Sequence, residues 1–429
     1  MESWQGLGAS AGRAEGHAHL LRTGADFGGV EPGAILVARH ATPSILPALL
    51  AARGVVCETG GYLCHLAVLA RELGKPCVTG LPGVLTRVRP GERLRIDGGT
   101  GRVERPAGSL SPGETGAVSP GPPPPSPDLT PALQFGEFSA AFEPRPAPFT
   151  LELALRTAAL VGLPRAFGGG PEDLGFEVTG AQVLVETRAL RALTERLAGR
   201  FEAGSLDAGR LRGRYQADLD WDGWDALAAP RPGPGLLLAA LRRAYTLNAL
   251  TWLAALVRET LARRYHAFLV ARWPVGAPAE LQTAFLDGLS LPGRSYILRH
   301  ALGETSGCVW SAGPAGRPGA WADLARPLRE GARRRQAGAL AELERRLDAP
   351  GAARARRFVE TLSALVDLTE RKNTDLDRCG RALFRADLLP ALGALCGLNA
   401  DAGAPTPGAR RLRVERCLET ARGLPTPAR

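Results

Sequence analysis

From position 106 the sequence reads PAGSLSPGETGAVSPGPPPPSPDLTP, dense in Pro, Gly and Ser and almost free of apolar periodicity. Such a composition cannot bury enough apolar surface to form a core, and it favours extended, partly stiff chain around Pro122 to Pro125. Residues 106–148 therefore read as a tether. Any core must be built separately on either side of it, from 1–105 and from 149–429. About 25 residues of this kind at ~3.1 Å each reach at most roughly 80 Å. From the segment alone it reads as a passive spacer; the functional reading is a leash for a domain that moves.

Residues 1–105 alternate short apolar runs with Gly/Pro turns, the pattern of a compact α/β unit. Buried strands are predicted at 34–38, 54–58, 77–79 and 93–97. Thr42 and Pro43 are placed to cap and open a helix. A second helix is predicted over 65–73, stopped by Gly74 and Pro76. Residues 149–429 carry apolar residues at three- and four-residue spacing over 151–160, 179–201, 236–273, 320–347 and 357–398. The fold class predicted is thus an α/β domain followed by a mostly α-helical one.

The bulk numbers exclude several classes. Net charge is +10, but lysine occurs only at Lys75 and Lys372, and the arginines alternate with acids as on solvated helix faces. No basic stripe with interleaved aromatics accompanies the charge, so a nucleic-acid partner is not expected. No apolar run approaches ~18 residues without an arginine, so no membrane span is expected. Seven cysteines at irregular spacing, with no CxxC pair, fit a reducing cytoplasm and no metal site.

The chemistry concentrates in residues 56–80, VCETGGYLCHLAVLARELGKPCVTG. A strand must reverse there into a helix that begins at His65. Gly60 and Gly61 permit positive φ and keep side chains out of a ligand's way. Backbone N–H groups at the start of a helix lack intrahelical acceptors, and the helix dipole places partial positive charge beside them. A free imidazole titrates near neutrality and is a competent phosphoryl acceptor. Phosphoryl transfer depends mainly on positioning and charge stabilisation. An anionic group on His65 would meet donors and a favourable field, provided that space remains beside the ring for three oxygens. On spacing alone, a lone histidine at a helix start is also an ordinary cap or surface residue.

The wider pattern resembles the swivelling phosphohistidine domain of PEP-utilising enzymes, such as phosphoenolpyruvate synthase, pyruvate phosphate dikinase and rifampin phosphotransferase. The family pattern T-x-x-G-G-x-x-[SC]-H-x-A-x-x-A-R-x-x-x-x-P is met by Gly60, Gly61, Cys64, His65, Ala67, Ala70, Arg71 and Pro76. Flanking stretches agree: GLGASAGRAEG at 6–16, ILVARHATPSILPAL at 35–49 and GERLRIDG at 91–98. The resemblance implies that His65 is the phosphorylated residue, that Gly60, Gly61 and Cys64 shape its loop, and that Arg71 supports it. Cys57 stands where the family has threonine, and Leu63 where some relatives carry a regulatory threonine, so regulation there is not expected. Residues 365–373, LVDLTERKN, weakly resemble the helical region of rifampin phosphotransferase-like and synthase-like chains. In those chains this region precedes the phosphohistidine domain.

These readings imply a phosphotransferase component. His65 would take a phosphoryl group from an ATP-grasp or PEP-binding protein in trans and pass it to a small-molecule acceptor. ATP and Mg²⁺ would belong to the partner, because 149–429 shows neither a GxxxxGK[ST] loop nor the α/β pattern of a nucleotide site. Arg371, Lys372 and Arg378 border one helix face with Asp375 and could hold an anionic acceptor, or form a solvated charged face. Trp221, Trp224, Trp252 and Trp273 could line an apolar pocket or pack a core. His266 and His300 are given no role. The alternative from another class is a non-catalytic scaffold that uses the same fold only to bind a partner.

Overall fold

The computed structural model describes residues 2–21, 29–39, 45–106, 129–131, 176–179, 182–219, 234–273, 278–304, 319 and 321–383. The chain divides into two compact units, Met1–Gly121 with Arg258–Thr374, and Pro122–Val257 with Asp375–Arg429.

The first unit is built on an eight-stranded mixed sheet. Its strands are β1 (Glu2–Gln5), β2 (Leu7–Ser10), β3 (Arg13–Leu21), β4 (Ile35–Ala38), β5 (Gly54–Cys57), β6 (Cys77–Thr79), β7 (Arg93–Asp97) and β8 (Arg102–Arg105). They lie in the order β1-β8-β7-β3-β4-β5-β6-β2. β3, β4, β5 and β6 run parallel, and β7, β8, β1 and β2 join antiparallel at the two edges. Three helices accompany the sheet: α1 (Leu46–Ala51), α2 (His65–Glu72) and α3 (Val84–Arg87).

Side-chain alternation divides the central strands between two cores. Leu36, Ala38, Val55, Cys57 and Cys77 face one side with Leu46, Leu49, Leu66, Leu69, Ala70 and Leu73 of α1, α2 and the residue after it. Ile35, Val37, Val56 and Val78 face the other, with Val84 and Leu85 of α3. Both faces of the parallel strands are covered, which explains their continuous apolar runs.

In the second unit, β9 (Leu129–Pro131), β10 (Phe176–Thr179) and β11 (Gln182–Glu186) form an antiparallel sheet in the order β10-β11-β9. Helices α4 (Thr187–Glu202) and α5 (Ala208–Leu219) follow. Two sequence expectations are corrected here. The helix predicted over 179–201 begins only at Thr187, because Gln182-Val183-Leu184-Val185-Glu186 has the β-branched content of a strand and pairs with its neighbours. Within 106–148, a stretch read as tether, Leu129–Pro131 pairs with β11.

Helix α6 (Pro234–Val270) supplies Arg258 onward to the first unit. There it is joined by α7 (Pro278–Gly288), α8 (Tyr296–Ala301), α9 (Ala322–Arg346) and the part of α10 (Ala349–Leu383) up to Thr374. Tyr296, Ile297, Leu298 and Ala301 of α8 and Ala325 of α9 join the core that α1 and α2 line. The phosphohistidine-like sheet and these helices therefore share one hydrophobic core. The predicted helices at 236–273 and 320–347 are present with small changes at their ends. Residues 151–160, Thr42 and Pro43 lie outside the described residues. Among those described, no helix is long and apolar enough to cross a membrane.

Candidate functional site

His65 is the first residue of α2, and Cys64 caps the helix in an extended conformation. The turn before it depends on its two glycines in different ways. Gly60 has φ +117°, a conformation that side chains rarely adopt, and a Cβ there would lie 2.8 Å from the Cys64 sulfur. Gly61 is needed for close approach: a Cβ would overlap the Glu259 carboxylate of α6. The Leu63 N–H donates to Glu259 Oε1 at 2.6 Å. The space Gly61 keeps open is thus filled by a carboxylate of the chain itself. Burial raises the Glu259 carboxyl above its usual range, and this outweighs the opposing pull of Arg258, the Leu63 N–H and Arg71. Gly61→Ala is expected to cost about 1–3 kcal/mol through this overlap, measurable by urea unfolding. Unchanged stability with unchanged protection of the Leu63 amide would contradict the fit.

The His65 ring is held by α10. Its Nδ1 lies 3.2 and 3.1 Å from the two carboxylate oxygens of Glu370, whose side chain is 3% exposed. The Tyr296 N–H donates to Glu370 Oε2 at 3.0 Å, and the Tyr296 ring lies 4.9 Å from the imidazole, centroid to centroid. Burial pushes the Glu370 carboxyl up. The His65 imidazole, the Arg258 guanidinium and the Tyr296 N–H together outweigh burial and hold it below the usual carboxylate range. Ionised Glu370 can only accept, so Nδ1 carries a proton, and in the neutral ring Nε2 is the nitrogen with the lone pair. A long-range ¹H–¹⁵N correlation spectrum should show His65 as the Nδ1–H tautomer, and Glu370→Ala should abolish that preference. The same tautomer in both proteins would remove Glu370 from this role.

Nε2 itself is buried and has no hydrogen-bond partner. The sequence reading expects room beside the ring for three oxygens. In this arrangement Nε2 is enclosed, so that room is closed.

The other predicted site residues separate into groups. Cys64 is a free thiol that burial pushes up. Cys57 is buried and points its sulfur at the Arg39 carbonyl, 3.2 Å away, and the Thr59 hydroxyl donates to the same carbonyl at 2.9 Å. Arg71 is 2% exposed. It lies near the far end of α2, donating from Nε to the Leu289 carbonyl at 3.0 Å and from Nη1 to the Ala9 carbonyl. Burial lowers its pKa to about 10. Next to it, Glu72 accepts from the Ser295 N–H at 3.0 Å and the Arg294 N–H at 3.2 Å, and pairs with Arg329 at 3.3 Å. Helix α2 is thus gripped at both ends by the helices of its unit.

Arg371 turns to Asp367 on its own helix at 3.0 Å and is 40% exposed. Asp367 also meets Arg294 at 3.1 Å. The side chains of Lys372 and Arg378 lie outside the described residues, as do Trp221 and Trp224. Trp252 and Trp273 are buried in core packing. His266 meets Gln282 at 2.8 Å, and His300 is buried. Among the described residues, no cluster of His, Cys, Asp and Glu has the geometry of a metal site.

Sequence reasoning missed Glu259, Glu370 and Arg258. Arg258 donates to the Thr369 hydroxyl and is 5% exposed. A signal was available. Leu362, Val366 and Glu370 continue one i, i+4 stripe, as do Leu250, Ala254, Arg258 and Ala262, and all of these are buried. A charge set in an apolar stripe marks a buried polar contact.

Residues 30–101 match the family model for the PEP-utilising enzyme mobile domain. That part of the chain belongs to this family. The chain is 37% identical over 110 residues to a probable phosphoenolpyruvate synthase from Methanothermobacter thermautotrophicus, covering 26% of this chain and 16% of that protein. It is 40% identical over 99 residues to a rifampicin phosphotransferase from Streptomyces sviceus, covering 23% and 11%. An uncharacterised phosphotransferase from Bacillus subtilis is 35% identical over 98 residues, covering 23% and 12%. The likeness thus spans a small fraction of each relative's length. Within it stand the PEP-utiliser turn Gly60–Cys64, His65 and Arg71.

Proposed function

We propose that this chain is a phosphotransferase component whose His65 carries a phosphoryl group between a donor protein and a small-molecule acceptor. The observation that carries the reading is the geometry of His65 on a mobile domain of this family. The imidazole opens a helix, its Nδ1 is engaged by an ionised carboxylate, and Nε2 is left as the nucleophilic nitrogen. Loading would form a P–Nε2 bond as the donor's P–O bond breaks. Unloading would return the electron pair to Nε2 as an acceptor oxygen takes the phosphorus. The donor proposed is an ATP-grasp-type or PEP-binding protein acting in trans, which would supply ATP and Mg²⁺. The names of the matched relatives, phosphoenolpyruvate synthase and rifampicin phosphotransferase, support this class of chemistry. The helices from 258 to 374 would provide the acceptor side or a docking platform. Because Nε2 is enclosed, loading requires α2 to part from α8 and α10, which accords with a domain that swivels.

The enclosure and the Cys57 substitution favour a second reading, a scaffold that only binds a partner. Incubation with an ATP-grasp partner, Mg²⁺ and radiolabelled ATP separates the two. The carrier takes up label on histidine, whereas a scaffold takes up none and still binds the partner.

A further inference from the structure

The contacts around α2 bear on which state of His65 the helical face accepts. Three contacts close on the start of α2: Glu259 on the Leu63 N–H, Glu370 on His65 Nδ1, and the Tyr296 ring beside the imidazole. A phosphoryl group on Nε2 needs volume and donors, and the enclosed nitrogen has neither. A phosphoryl group on Nδ1 would have to displace Glu370 and would face its charge. Of the charged groups around this end of α2, Glu259 and Glu370 touch it directly. Among the described residues, Arg258 donates one nitrogen to Thr369, leaves its Nε unpaired and acts on both carboxyls, and Arg71 donates to the Ala9 and Leu289 carbonyls with its Nη2 unpaired. At the other end of α2, Glu72 takes the Ser295 and Arg294 N–H groups and Arg329, contacts that a release of α2 would break.

We propose that the face formed by Glu259, Tyr296 and Glu370 is a docking surface reserved for unphosphorylated His65, and that phosphorylation releases α2 from it. This deepens the carrier reading and rests on it. The loaded domain is thereby freed to leave, and the emptied one is held.

The test uses the full chain and potassium phosphoramidate, which transfers its phosphoryl group to an imidazole nitrogen with release of ammonia and needs no partner protein. Tandem mass spectrometry locates the phosphate, with exposed His17 as an internal reference. Amide exchange is then followed at Ser295 and Tyr296, whose acceptors are Glu72 of α2 and the carboxylate against His65. Phosphorylation at His65 is expected to accelerate exchange at both amides tenfold or more. His65→Gln treated in the same way should show no change between treated and untreated protein, which separates the effect from modification elsewhere. His65 phosphorylated with exchange unchanged overturns the docking proposal and leaves the carrier reading standing. His17 phosphorylated while His65 stays unmodified overturns both, because it shows a contact that does not open.

Discussion

Arg71→Ala is expected to lower the unfolding free energy by about 3–5 kcal/mol, far more than a surface arginine would. The guanidinium is buried and bonded to two carbonyls that are distant in sequence, Ala9 on β2 and Leu289 after α7. Its loss leaves both acceptors unsatisfied at roughly 1–3 kcal/mol each. It also removes a cation whose field offsets the buried Glu259, and stripping one member from a buried charge arrangement costs about 3–5 kcal/mol. For a unit the size of the first one each kilocalorie shifts the midpoint by about 2–4 °C, so a fall of about 6–20 °C in its transition is expected by calorimetry. Arg71→Lys should recover less than half of the loss, because one ammonium cannot reproduce the fork that reaches both carbonyls. A change below about 1 kcal/mol for Arg71→Ala would mean that the two carbonyls find other donors, and that α2 does not depend on this residue for its seat.

The second large effect falls on chemistry. His65→Gln is expected to reduce phosphate uptake from an ATP-grasp partner by more than ~10³-fold, because the amide has no nucleophilic lone pair to take the phosphorus. The substitution keeps a polar group of similar size beside Glu370, so circular dichroism and the unfolding midpoint should change little. The expected pattern is a chain that folds and does not load. If His65→Gln takes up phosphate at the wild-type rate, another residue is the carrier. If neither protein loads and both bind the partner equally, the scaffold reading prevails.

Much of the α/β unit was legible from local pattern. The runs at 34–38, 54–58 and 77–79 announced buried strands, because a strand covered on both faces has no polar side to show. The helix start at His65 followed from the glycines before it and the apolar spacing after it. Other features depended on pairing that no short window contains. Val183 and Leu184 became strand through neighbours at 176–179 and 129–131, although their apolar spacing had also suited a helix.

The surroundings of His65 were the least legible part. Glu370 lies 305 residues from His65 in sequence, and Glu259 lies 196 from Leu63. Nothing in a turn of the form Gly-Gly-x-x-Cys-His states which distant helix will lie against it. The sequence marked the neighbouring cations of α10, Arg371 and Lys372, as candidate anion binders. The structure sets Arg371 on Asp367 and gives the contact with the histidine to the preceding acid. What could be read was that a carboxylate interrupts an apolar stripe. Which group it meets is decided by the tertiary fold.

The carrier hypothesis is tested most directly by locating phosphate on the wild-type chain after incubation with an ATP-grasp partner, Mg²⁺ and labelled ATP. A single phosphate is predicted, labile to acid and stable to base, on the imidazole of His65 and attached at Nε2. A phosphate that survives acid, or that maps to any other residue while His65 stays bare, would contradict the account.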